Sequence, residues 1–279
     1  MNAILIGKGG WGELLKLYIQ KNTHFNLVGV YGSDFDISQI PPYTQVAFIA
    51  TPLYSHFDLA LMCIKKGLHV FVEKPTCKTL EQFHILQDHA QKHNLKIYTD
   101  YIYLCSNSIL YIIEALKNKR IESIQAIITQ YGRFYKDENV LEVLGVHWLS
   151  VFCKIFSDIR VKKFSYTDMH QLQAVLLGKD DTQKDCEITL FCSLVHDKKA
   201  RTLQISLSDM SIFFDMQANP TLKIFENKKS SHVHFDEQHN IAKTLEFFYE
   251  VLSDNSSYEE HIKICHKVLQ LCCDMRIAV

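Results

Sequence analysis

The chain has 279 residues, 47% hydrophobic and 22% charged, with a formal net charge of −1. This is an ordinary globular composition, long enough for two domains or one large one. The near-neutral balance gives no electrostatic footprint for nucleic acid or an anionic membrane surface, so neither is an expected partner. The apolar run over residues 3–6 is far too short for a signal peptide or a membrane span. Nine cysteines lie scattered, none at zinc-finger spacing, and read as reduced thiols in a cytoplasmic setting. The dispersed histidines give no metal site.

Residues 3–6 form a short apolar strand, followed at once by Gly7, Gly9, Gly10, Trp11 and Gly12 in the pattern G-x-G-x-x-G. An amphipathic run over 13–20 then reads as a helix. Strand, glycine turn and helix in that order is the context a dinucleotide fingerprint requires. Gly7 makes the turn, Gly9 lets the backbone approach a pyrophosphate, and Gly12 allows close helix–strand packing. The helix N-terminus offers its N–H groups to the phosphates. A second strand over 27–31 ends at Gly32, Ser33 and Asp34, where a ribose 2′-hydroxyl would be bound. No Lys or Arg lies between Asn22 and Ile64 to meet a 2′-phosphate, so NAD(H) is favoured over NADP(H).

The segment 36–44, with Pro41-Pro42, is too short and too proline-broken for a crossover helix. Strand 46–50 runs into Thr51-Pro52, and a helix covers 55–66. The apolar strand 70–72 then delivers Glu73, Lys74 and Pro75 to a sheet edge, where α/β proteins bind their ligands. Helix 80–93 and strand 96–99 complete a doubly wound parallel sheet.

Farther on, 108–119 reads as an amphipathic helix and 124–134 as a long strand. Arg133, near that strand's end, could meet an anionic substrate group such as a phosphate. From residue 161 the pattern is of strands, at 161–167, 173–177, 186–195, 202–208, 211–216, 222–225 and 231–235. Asp197-Lys198-Lys199 and Ser208-Asp209-Met210 read as turns between them. The alternating Ile188, Leu190 and Cys192 read as core. Helices at 241–252 and 258–277 have apolar residues recurring at three and four, so they pack back on the rest.

Three motifs in order and spacing resemble the Gfo/Idh/MocA oxidoreductases: Gly7-x-Gly9-x-Trp11-Gly12, Ala50-Thr51-Pro52-x-x-Ser55-His56, and Gly67-x-His69-Val70-x-Val72-Glu73-Lys74-Pro75. Members are NAD(P)-dependent enzymes acting mostly on sugars, nucleotide sugars and cyclitols. The resemblance implies an α/β protein with an N-terminal Rossmann domain over 1–104. A C-terminal α+β domain over 105–279 would carry a largely antiparallel open sheet, through which a homo-dimer or homo-tetramer forms. The implied reaction passes hydride between nicotinamide and a secondary alcohol or ketone of a sugar or nucleotide sugar.

By the same resemblance Lys74 is the catalytic lysine, an ammonium that stabilises the substrate oxygen as hydride moves. Glu73 borders the nicotinamide ribose, and Thr51, Pro52 and His56 line the cofactor crevice. Tyr101 and Tyr103 fall in a loop under the nicotinamide and are candidate substrate contacts. Leu144-Gly145-Val146-His147-Trp148-Leu149 resembles a family segment at a helix start, which makes His147 the proton acceptor for the substrate hydroxyl. The family acid four residues before that histidine is Val143 here, and the acid after it is Trp148. An alternative function follows: a catalytically impaired nicotinamide-binding protein acting as a sensor or assembly partner.

Overall fold

The computed structural model describes residues 1–219, 221–235 and 240–276. They form two compact units. One runs from Met1 to Ile102 and takes in the C-terminal helices as far as Leu269; the other starts at Tyr103 and is joined by the residues from Gln270.

The first unit is built on five parallel strands: β1 (Asn2–Ile6), β2 (Asn26–Tyr31), β3 (Val46–Ile49), β4 (His69–Glu73) and β5 (Ile97–Asp100). Their order is β2-β1-β3-β4-β5, so the connection direction reverses between β1 and β3. That reversal opens a crevice at the carboxyl edge. Ile4, Ile6, Ala47, Ile49, Val70, Val72 and Ile97 face one side, with residues of α2 (His56–Lys65) and α3 (Leu80–Lys92) such as Ala60, Ile64 and Leu86. Ala3, Leu5, Phe48, Phe71 and Tyr98 face the other, with Leu15 and Ile19 of α1 (Gly10–Lys21). Because both faces are covered, these strands read as continuous apolar runs.

Only a short 3₁₀ turn, Ile37–Gln39, lies between β2 and β3. The second face is completed by a helix from the far end of the chain, α6 (Asn240–Ser253). Its Phe248 ring lies 5.4–5.8 Å from those of Phe25, Phe48, Phe71 and Tyr98. Burying Phe248 and Leu245 is worth on the order of 3–6 kcal/mol, which holds α6 on this face beside α1. The last helix, α7 (Asn255–Asp274), covers most of the expected 258–277; Ile277 lies outside the described residues.

The second unit opens with α4 (Asn107–Leu116), β6 (Ile121–Tyr131) and α5 (Val146–Ile155). Seven further strands follow: β7 (Asp158–Asp168), β8 (Gln171–Lys179), β9 (Asp185–Ser193), β10 (Val195–Leu207), β11 (Met210–Asp215), β12 (Leu222–Glu226) and β13 (Lys229–Val233). They form one eight-stranded sheet in the order β13-β12-β11-β10-β6-β9-β8-β7, antiparallel except for the β6–β9 pair. One face is buried through Ile124, Ala126 and Ile128 of β6 and Ile188, Leu190 and Cys192 of β9.

Two expectations are corrected here. Asp197-Lys198-Lys199 is not a turn; it lies inside β10, where the register to β6 shifts between Val195 and Ala200. The chain reverses earlier, around Leu194, and the polar triplet occupies the bulge. Strand β6 also ends at Tyr131, so Arg133 stands beyond it, with Gly132 and Arg133 both at positive φ (95° and 61°).

Among the described residues no helix is long and apolar enough to cross a membrane.

Candidate functional site

The carboxyl edge of the parallel sheet gathers the residues singled out in the first unit. Gly7 follows β1 at φ +127°, and a Cβ there would fall 2.1 Å from the Ala50 carbonyl oxygen. A Cβ on Gly12 would fall 2.2 Å from the Gly7 carbonyl oxygen. Gly7 lets the turn pass close to the end of β3, and Gly12 lets α1 pack close to that turn. Gly9 and Gly10 differ: a Cβ on either would meet nothing within 4 Å. Gly9 caps α1 without a side-chain hydrogen bond, so the N–H groups of the first turn are left uncapped by any side chain. Open space and unclaimed donors at a helix N-terminus fit a pyrophosphate. Beside them, Trp11 Nε1 is buried without a hydrogen-bond partner among the described residues.

At the end of β2, Gly32 is flanked by Asp34 Oδ1 and by the Lys8 methylenes, 3.2 and 3.4 Å from where its Cβ would stand. The expectation of NAD(H) over NADP(H) rested on an absence of cations between residues 22 and 64. Folding brings one to that place from the glycine loop instead, so the argument for NAD(H) does not hold. Lys8 lies outside the window that was counted.

Strands β3 and β4 end on Thr51-Pro52 and Glu73-Lys74-Pro75. His56 is 1% exposed, and its Nδ1 and Nε2 each lie 2.8 Å from a carbonyl oxygen, of Pro75 and Thr51 respectively. It clips the loop after β3 to the loop after β4. His56→Ala leaves the buried Pro75 carbonyl and the part-buried Thr51 carbonyl without their ring partner and is expected to cost about 1–3 kcal/mol in chemical denaturation.

Glu73 and Asp100 are directly opposed across β4 and β5. Burial raises both carboxyl groups, Glu73 well above its ordinary range and Asp100 to about 6, and each also feels the other and the Lys74 ammonium. Asp100 Oδ1 accepts a 3.0 Å hydrogen bond from Thr244 Oγ1 of α6, which lies 3.0 Å from Tyr98 Oη. Tyr101, the next residue, is buried, with its ring 6.3 Å from that of His261 on α7.

In the second unit His147 opens α5 directly after a π-helical turn, Leu141–Gly145. Its ring stacks on Tyr103, with centroids 4.6 Å apart and planes at 19°. Trp148 packs edge-on to Tyr103 and donates from Nε1 to the Ile127 carbonyl at 3.2 Å. Val143 is buried, and Glu142 accepts from the Asn139 N–H at 2.9 Å, capping its own turn. The Tyr103 hydroxyl is pushed up to about 12 by burial, opposed by the guanidinium of Arg201, to which it hydrogen-bonds. Arg201 and Arg133 line a cavity of about 590 Å³ with Gln130, Asp197, Lys199 and Gln217. The sequence singled out Tyr103, Arg133 and His147 but not Arg201, which only the pairing of β10 with β6 brings beside Tyr103.

Residues 28–101 match the Gfo/Idh/MocA model of an oxidoreductase family with an NAD-binding Rossmann fold, as the motifs of the first unit suggest. None of the curated protein sequences matches the chain. Among solved structures, a UDP-N-acetylglucosamine 3-dehydrogenase from Acidithiobacillus ferrooxidans is 19% identical, covering 98% of this chain and 97% of that one, with a TM-score of 0.81. A 3-ketoreductase from Actinomadura kijaniata, in complex with TDP-benzene and NADP, is 12% identical over 98% and 96%, at 0.83. Biliverdin reductase from Synechocystis, with biliverdin and NADP+, is 14% identical over 98% and 97%, at 0.78. These likenesses establish the fold over nearly the full length, a Rossmann unit followed by a mostly antiparallel sheet.

Proposed function

We propose that the protein is an NAD(P)-dependent oxidoreductase acting on a secondary alcohol or ketone of a nucleotide-linked sugar. The observation that carries this reading is the carboxyl edge of the first sheet. There the open glycine cradle at Gly9 and Gly10 and the Glu73-Lys74 pair stand at the ends of strands of one parallel sheet. A bound nicotinamide would supply or accept the hydride. Gly9, Gly10 and the first turn of α1 hold its pyrophosphate, Thr51 and Pro52 line the crevice, and Glu73 borders its ribose. Lys74 donates a hydrogen bond to the reacting oxygen and stabilises the negative charge that gathers there. His147, held flat by Tyr103, exchanges the hydroxyl proton. Arg133, with Lys199 and Arg201, suits an anionic group such as a phosphate. The UDP- and TDP-linked names of two structural relatives support that substrate class. The exposed Ile127 and Phe164 on the open face of the second sheet suit a second copy of the chain.

The cofactor is read as either nicotinamide dinucleotide, with Asp34 suited to a 2′-hydroxyl and Lys8 to a 2′-phosphate. Titration with NADH and NADPH, followed by Trp11 emission, tests this. Lys8→Ala is expected to weaken NADPH by roughly 10–100-fold, the worth of a charged hydrogen bond, and to leave NADH within about twofold. If wild type binds neither cofactor, the reading falls. Val143 favours a second reading, cofactor binding without turnover. Oxidation of bound cofactor in the presence of keto forms of UDP- or TDP-sugars decides between the two.

A further inference from the structure

Glu73 and Asp100 each present a buried oxygen that the described residues around them leave unpaired. Carboxylate oxygens only accept hydrogen bonds. Yet Glu73 Oε1 and Asp100 Oδ2 are both sealed from solvent, with no donor among the described residues. The two side chains stand opposite one another on adjacent parallel strands, within hydrogen-bonding reach. The remaining contacts are fixed: Thr244 donates to Asp100 Oδ1, and the Lys74 backbone N–H serves Glu73. A proton between the carboxyls satisfies both orphaned oxygens at once; two carboxylates would leave two buried charges repelling each other.

We propose that Glu73 and Asp100 share one proton at neutral pH, so that Asp100 is a positioning residue that presents Lys74 with a single balancing negative charge. With two carboxylates the ammonium would be held against the protein; with none the half-buried Lys74 would lack a balancing charge. One charge keeps Lys74 cationic and able to turn to a substrate oxygen. The groups facing the pair are Lys74 after β4, Thr244 on α6, and Tyr98 of β5 behind Thr244. On α7, His261 accepts from the Thr99 N–H at 3.0 Å and stacks on Tyr98; burial lowers it to about 3, so it adds no charge at neutral pH. The sharing of the proton is independent of the proposed function, whereas the role given to Lys74 rests on it.

The test uses the whole protein without cofactor. Infrared spectra at neutral pH should show the carbonyl band of a protonated carboxylic acid, lost in both Asp100→Asn and Glu73→Gln. Its absence from wild type, or its persistence in both variants, overturns the proposal. Acylation of Lys74 by an amine-reactive reagent, followed by mass spectrometry, reads the charge. Each single amide variant keeps one negative charge, so its rate should stay within about twofold of wild type, while the double variant should react roughly tenfold faster. A rise in each single variant would mean two carboxylates, and no rise in the double would mean that the pair does not act on Lys74. Should the double variant fail to fold, stability against pH remains decisive. The folded state keeps a proton that the unfolded chain releases above about pH 4, so wild-type stability falls as pH rises through the folded-state range. That fall should flatten in Asp100→Asn, and an unchanged slope overturns the proposal. A positive infrared result without cofactor binding would leave the proton pair standing and remove the enzyme reading. The reverse result would remove only the pair.

Discussion

Lys74→Ala is expected to lower turnover by about 10²–10⁴-fold while the protein still folds and still binds its cofactor. The fold tolerates the change because Lys74 follows the last residue of β4 and the strand's burial is carried by Val70, Phe71 and Val72, each 0% exposed. Cofactor affinity should change little because the pyrophosphate cradle belongs to Gly9, Gly10 and α1. The loss therefore belongs in kcat, where charge develops on the substrate oxygen, more than in KM. Lys74→Arg should not rescue, since a planar fork cannot stand in for a compact ammonium at one reacting atom. Stopped-flow measurement of hydride transfer alongside a binding titration checks both halves. Turnover within tenfold of wild type would remove Lys74 from the chemistry.

The first unit was legible because its signals are local. Apolar runs of four or five residues bounded by turn residues are too short for helices and read as strands covered on both faces, and the glycine spacing announces its own turn. Helix α1 begins at Gly10 where the periodicity suggested residue 13, because glycines carry no hydrophobic signal even when helical. What the sequence hid was brought in from elsewhere. Lys8 reaches the end of β2 from the glycine loop, and Thr244 reaches Asp100 from a helix 144 residues later. Asp100 fell outside the expected strand 96–99; it is the last residue of β5, and only the strand register sets it against Glu73. In the second unit, alternation gave the buried face of the sheet but misplaced a polar triplet. Three hydrophilic residues in a bulge cannot be told from three in a turn without the partner strand.

The glycine turn offers the second large effect, and it separates packing from ligand binding within six residues. Gly12→Ala drives a methyl group to 2.2 Å from the Gly7 carbonyl oxygen, and the obstacle is backbone that no rotamer change removes. Helix α1 must move off β1, at an expected cost of about 3–5 kcal/mol, and cofactor binding fails with it. Gly9→Ala is the contrast. Its backbone, φ −72° and ψ 175°, suits any residue, and its Cβ would meet no atom of the protein. Exchanging Gly for Ala at a helix cap costs about 1 kcal/mol at most, so the thermal midpoint should move by only a few degrees. The new methyl nevertheless stands where the cofactor's pyrophosphate has to approach the backbone, and NAD(P)H affinity should fall by about 100-fold or more, close to 3 kcal/mol. A stable Gly9→Ala protein that binds cofactor as wild type does would show the space around Gly9 to be plain solvent. The same variant, stable but unable to bind, would separate the residue that holds the ligand from the one that holds the helix.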